Sequence, residues 1–141
     1  MDITLGTDLV HIPGFAEQLA QPGSKFAAVF SAAELRRAKK YTGRRRAEHL
    51  AGRWAAKEAF IKAWSQACYG KPPVLAQEAV TWSEIEVRAD AYQRVAIHLN
   101  GEIARAVADS LGHVQSSLSI SHDGDYAAAN VLLIRTPASR I

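Results

Sequence analysis

Between His49 and Ser65 the chain has almost no polar stretch. In HLAGRWAAKEAFIKAWS, Leu50, Trp54 and Ile61 share one helical face; Ala51, Ala55, Ala59 and Ala63 form a second at i, i+4 spacing; Phe60 and Trp64 fill a third. A helix apolar on every side belongs in an interior, and Gly52 costs it little. Yet the segment carries Arg53, Lys57, Glu58 and Lys62. Charge taken out of water is costly unless it is paired or meets a ligand. Glu58 and Lys62 lie one turn apart and point the same way. That sets an acceptor suited to a metal beside a donor suited to a phosphate. A plain i, i+4 ion pair satisfies the same spacing.

The flanking segments read by their periods. Ile3 to Val10 alternates as a short strand, with Ile3, Leu5 and Leu9 on one side and Thr4, Gly6, Asp8 and Val10 on the other. Asp8 is an unusual strand residue. It is either a strand-end cap or a carboxylate offered over the gap that Gly6 leaves. Pro13-Gly14 interrupts, and Phe15 to Leu19 predicts a short helix ended by Pro22-Gly23. Phe26 to Phe30 is apolar. Ser31 with Glu34 has capping-box spacing ahead of a helix from Ala32 to about Tyr41. After the central helix, Gly70, Pro72 and Pro73 mark a loop. Thr81 to Arg88 and Arg94 to Leu99 alternate as a hairpin. Glu102 to Leu111 predicts a helix stopped by Gly112. Ser116 to Ser121 and Tyr126 to Ile134 form a second hairpin across His-Asp-Gly-Asp, and the tail from Thr136 reads as loose. The order β-α-α-α-β-β-α-β-β predicts a single α+β domain over 1–141. Its sheet is largely antiparallel and packs on a central apolar helix.

Bulk properties change this picture little. A chain of 141 residues with 48% apolar and 22% charged residues is an ordinary globular domain. Its single cysteine, Cys68, forms no internal disulfide and suits a reducing compartment. No basic leader and no long uncharged apolar run is present, so a cytoplasmic protein without a membrane partner is expected. The net charge of +3 fits an anionic ligand or an acidic partner. The densest charge is Arg36, Arg37, Lys39, Lys40, Arg44, Arg45 and Arg46, split by Gly43. It reads as a solvated helix end, a phosphate site or a docking patch. Stacking aromatics are not interleaved beyond Tyr41, which argues against nucleic acid. A non-catalytic nucleotide or nucleic-acid binder using Arg36 to Arg46 stands as the alternative to an enzyme, and a purely structural module as a third reading.

No Walker A loop, GxGxxG, HExxH or GxSxG occurs. What remains is Asp8, Glu58 and a lysine one turn beyond. Magnesium takes one or two carboxylates plus water and substrate phosphates. Phosphoryl transfer is mostly positioning and charge neutralisation.

GTDLV near the start and the later RWAAKEAFIKAW resemble the 4′-phosphopantetheinyl transferases, in particular the small holo-acyl-carrier-protein synthase type. That family's pattern is a G-x-D strand end, then an aromatic-x-x-K-E-A/S-x-x-K helix. Gly6, Asp8, Trp54, Lys57, Glu58, Ala59 and Lys62 fill every fixed position. SLSISHDGDYAAANVLL is similar to the family's closing hairpin, so the resemblance spans essentially the whole chain. It implies transfer of the phosphopantetheine arm of coenzyme A to a serine of an apo acyl carrier protein, or of the carrier domain of a fatty-acid synthase. Adenosine 3′,5′-bisphosphate is released, and the reaction serves fatty acid biosynthesis. Asp8 and Glu58 would hold Mg2+ against the pyrophosphate. Glu58, directly or through a metal-bound water, would help deprotonate the serine, and Lys62 would neutralise the transferring phosphate. Lys57 joins Lys62 in the expected coenzyme A set. Arg53 and Arg44, Arg45 and Arg46 are candidates for the 3′-phosphate, and His122 for the nucleotide side, where a turn histidine fits as well. The resemblance also implies a homotrimer with clefts between subunits. The chain departs from the pattern at His11 and Gly14 and lacks the glycine-rich loop, having Ser65-Gln66-Ala67 there. With no basic residue before Lys25, carrier docking would fall to Lys25 and the Arg36 to Arg46 cluster.

Overall fold

The chain is described by a computed structural model over residues 2–136. Most of the expected tail, and the side chain of Lys25, lie outside the described residues. The element order is the expected one: β1 (Ile3–His11), α1 (Ile12–Ala20), α2 (Ala32–Ala38), α3 (Gly43–Ala67), β2 (Ile85–Ala89), β3 (Val95–Leu99), α4 (Gly101–Leu111), β4 (Val114–Asp123) and β5 (Tyr126–Arg135). All pairing is antiparallel, in two sheets, β1-β5-β4 and β2-β3. The long helix α3 lies across the inner face of the larger sheet.

Contact between α3 and the sheet is made by its smallest residues. Ala51, Ala55, Ala59 and Ala63 are all fully buried. A Cβ on Gly6 would run into the carbonyl of Ala59 and lie 2.7 Å from the nitrogen of Ala63. One on Gly52 would lie 2.9 Å from Ile120 Cγ2. The space at Gly6, expected to be open to a ligand, is therefore taken by the helix backbone. Thr4 Oγ1 adds a 2.8 Å bond to the carbonyl of Ala63. This close approach brings the inner face of β1 against the charges on α3.

Several boundaries differ from the periodic reading. Helix α1 starts before Pro13, because a proline in the first turn lacks only an N–H that has no helical partner there. His11 Nδ1 caps this helix, accepting from the amide of Gly14. Helix α2 stops at Ala38, and α3 begins at Gly43, so Arg44, Arg45 and Arg46 occupy its first turn. The expected start of the first hairpin is a 3-10 turn, Trp82–Glu84. Glu84 turns its carboxylate onto the amides of Glu102 and Ile103, capping α4.

Candidate functional site

Asp8 sits on the inner face of β1, opposite Ala129, with its side chain 8% exposed. The packing of β1 on α3 brings it to Glu58 and Lys62. Lys62 Nζ donates to Asp8 Oδ1 at 2.9 Å and to the carbonyl of Thr7 at 3.1 Å. The salt bridge thus forms between Lys62 and Asp8, not within the helix between Lys62 and Glu58. The second oxygen of Asp8, Oδ2, is buried and meets no donor in hydrogen-bond geometry among the described residues.

Glu58 lies beside it, half-buried, and its carboxyl is pushed up to about 8. Burial is the largest cause. Next come the hydrogen bonding that Asp8 offers the protonated form and the like charge of Asp8, while Lys62 opposes both. When Glu58 is ionised, Asp8 Oδ2 has no donor and two like charges face each other. A divalent cation would satisfy both, so the residues fit one. No group of three or more His, Cys, Asp or Glu side chains suited to a metal occurs among the described residues. An ion here would rest on two carboxylates and complete its shell from outside the chain, as magnesium does.

A cleft of about 610 Å³ opens beside these groups, lined by Glu58, Ile61, Lys62, Trp64, Val74 and Trp82 among others. Lys62 also borders a second groove that runs along β1 past Leu5, Gly6 and Thr7.

Lys57 is not in this cleft. Its side chain is fully buried, and its ammonium donates to Glu34 Oε1 (2.8 Å), the carbonyl of Trp82 (3.1 Å) and the carbonyl of Ile85 (2.6 Å). All three protons are used inside the protein, which corrects its expected role in ligand binding. Burial pushes this ammonium's pKa down, and Glu34 opposes that shift.

The basic residues divide. Arg44 is committed to Asp125 Oδ1 (2.9 Å) and the carbonyl of Gly124 (2.8 Å), which ties the start of α3 to the β4–β5 turn. Arg45 lies over the Tyr41 ring, and Tyr41 packs against His49 at 4.8 Å. Burial, then Arg53, Arg37 and Arg46, push His49 down to about 4. Nothing in the sequence pattern marked His49, because its crowding comes from α2 as well as α3. His122 Nε2 stands 3.3 Å from Glu48 Oε1. At a rise of 1.5 Å per residue, Arg44 to Arg46 lie about 18–21 Å along the helix from Glu58, and Arg53 about 7–8 Å. The structure therefore brings Asp8, Glu58 and Lys62 together, while Arg53 meets the charges of Arg37, Tyr41 and Glu34 instead. It leaves Arg44, Arg45, Arg46 and His122 at the far end of α3. Glu34 and Trp82 were missed as site neighbours; the capping box at Ser31 accounted for Glu34 locally and hid its second partner.

Comparisons with known proteins point to one family. The model of the 4′-phosphopantetheinyl transferase superfamily matches residues 4–131. A holo-[acyl-carrier-protein] synthase of Corynebacterium glutamicum is 68% identical over 131 residues, covering 93% of this chain and 97% of that protein. One from Mycobacterium tuberculosis is 45% identical over 131 residues, covering 93% and 95%. The solved ACPS–CoA complex of Chronobacterium ammoniagenes superposes with a TM-score of 0.91 at 59% identity, covering 97% of this chain and 100% of that one.

Proposed function

The chain belongs to the 4′-phosphopantetheinyl transferase superfamily, and from that membership we infer that it transfers the 4′-phosphopantetheine arm of coenzyme A to a serine of an apo acyl carrier protein. The serine oxygen forms a bond to the phosphorus that carries the pantetheine arm. The bond from that phosphorus to the bridging oxygen breaks, and adenosine 3′,5′-bisphosphate leaves. The observation that carries the site assignment is the meeting of Asp8 and Glu58, distant in sequence, beside the ammonium of Lys62.

Each residue has a part that follows from its surroundings. Glu58, in its ionised form, is the base proposed to take the serine proton. Lys62, an exposed side chain anchored on Asp8, lines the cleft and offsets charge on the transferring phosphate. Asp8 and Glu58 are the ligands proposed for magnesium, which when bound neutralises the pyrophosphate and depresses the carboxyl pKa values. Arg53, only about 7–8 Å along the helix from Glu58, is set among Arg37, Tyr41 and Glu34, so the 3′-phosphate, on the same ribose as the pyrophosphate, falls to other basic residues.

Arg45 and Arg46, at the start of α3, and His122, in β4 beside Glu48, are too far from Glu58 to serve that ribose in one copy. They serve the nucleotide if a neighbouring copy brings them to the cleft, as in the proposed homotrimer. The outer face of the larger sheet supports self-association. Leu5 is 59% and Leu9 64% exposed, and Leu132, the cross-strand partner of Leu5, is 36% exposed. A contiguous apolar face of this kind marks an interface. With this activity we place the protein in the cytoplasm.

The test is to incubate an apo acyl carrier protein with coenzyme A and the protein, with and without magnesium, and weigh the carrier by mass spectrometry. A gain of one phosphopantetheine that requires the cation is expected. No gain on either a free or a synthase-embedded carrier refutes the activity, and an equal gain in chelator refutes the metal.

A further inference from the structure

We propose that Glu34 and Lys57 are positioning residues for coenzyme A, their buried ion pair fixing the backbone at Trp82 to Ile85 and so the Trp82 wall of the cleft. This rests on the reading of the cleft as the coenzyme A site.

The pair is the most deeply buried charge in the described chain, with side chains 0% and 1% exposed. It ties four elements together. Glu34 Oε1 accepts from Lys57 and from the amide of Ser31 at 2.8 Å, which holds the start of α2. Glu34 Oε2 accepts from the amide of Val87 at 2.8 Å, which holds β2. Lys57 reaches from α3 to the carbonyls of Trp82 and Ile85, the two ends of the 3-10 turn. Each polar atom of the pair is thus satisfied. Such a pair seldom adds stability over an apolar replacement, because desolvation offsets the attraction. What it adds is one fixed arrangement of the groups it grips.

Those groups border the site. Trp82 lines the cleft together with Glu58 and Lys62, and its ring packs on Trp54 at 4.8 Å. Lys57 and Glu58 are consecutive, so they leave α3 in different directions. The same helical turn therefore aims Glu58 into the cleft and pins the opposing wall from behind. A wall held by hydrogen bonds to its backbone keeps its distance from α3 whether or not a ligand is bound. That preorganisation is gained in affinity.

The test compares the wild type with K57M, E34Q/K57M, W82A and K57M/W82A. The readouts are urea stability, the dissociation constant for coenzyme A by calorimetry, and kcat and KM in carrier modification. K57M is expected to weaken coenzyme A binding and raise KM about tenfold, the scale of losing a well-made anchor, with kcat within about twofold. In E34Q/K57M no charge is left unpaired, so stability returns toward wild type. Affinity stays low, because methionine cannot donate to the Trp82 carbonyl. K57M/W82A is expected to bind no more weakly than W82A alone. Affinity that returns with stability in E34Q/K57M overturns the proposal, as do effects of K57M and W82A that multiply. If K57M does not fold, the double variant decides alone. A wild-type protein that does not bind coenzyme A refutes the cleft assignment itself, a different outcome from either.

Discussion

Replacing Glu58 by Gln tests the carboxylate pair without reference to turnover. In cation-free buffer, Glu58 holds its proton up to a pH of about 8 in the folded chain, against 4.5 for an ordinary glutamate. The folded state then binds more protons than the unfolded one across that window. Stability is fully present below about pH 4.5 and is lost as pH rises through about 8. The whole rise would correspond to at most about 5 kcal/mol. Glu58 is only half-buried, so solvent screening leaves about 1–2 kcal/mol. Urea unfolding in chelator from about pH 5 to about pH 9 measures it. Wild type should lose about 1–2 kcal/mol more than Glu58→Gln over that range. His49, pushed down to about 4, contributes with the opposite sign: its part is present above pH 6.5 and lost as pH falls. Subtracting the two proteins' curves removes it. Magnesium should flatten the wild-type curve and leave the variant's unchanged. Parallel pH curves for the two proteins, or equal stabilisation of both by magnesium, would refute the reasoning.

Other substitutions examine the remaining parts. Gly6→Ala puts a methyl group into the carbonyl of Ala59 and should cost about 3 kcal/mol or more by urea melt; a loss below about 1 kcal/mol would mean that β1 and α3 separate easily. Leu5→Lys with Leu9→Lys should leave the chain folded by circular dichroism but monomeric in the ultracentrifuge, and unchanged sedimentation would remove the sheet face as the interface. Changing Arg45 and Arg46 to Ala should raise KM for coenzyme A about tenfold and leave KM for dephospho-coenzyme A in place; equal effects on both substrates would remove their 3′-phosphate role. Arg44→Ala, by contrast, should lose the tie to Asp125 at the chain's surface, worth under about 1 kcal/mol, and leave KM unchanged.

The sequence by itself determined the order of the elements and the interior place of α3. Period and capping chemistry are local, and the four alanines at i, i+4 spacing bury as their pattern requires. It also set Glu58 and Lys62 on one side of the helix, because helical geometry is fixed over a single turn. Tertiary structure decided which face of β1 is covered. The less apolar side, with Thr4, Gly6 and Asp8, faces inward, because only there does Gly6 let α3 come close. It also decided the partner of each charge. Lys57 and Lys62 are alike in type and neighbours in sequence, yet one is sealed against Glu34 and the other is held at the cleft by Asp8. A charge is satisfied by whatever lies within a few ångströms, and the chain's long-range packing, not its periodicity, sets that distance.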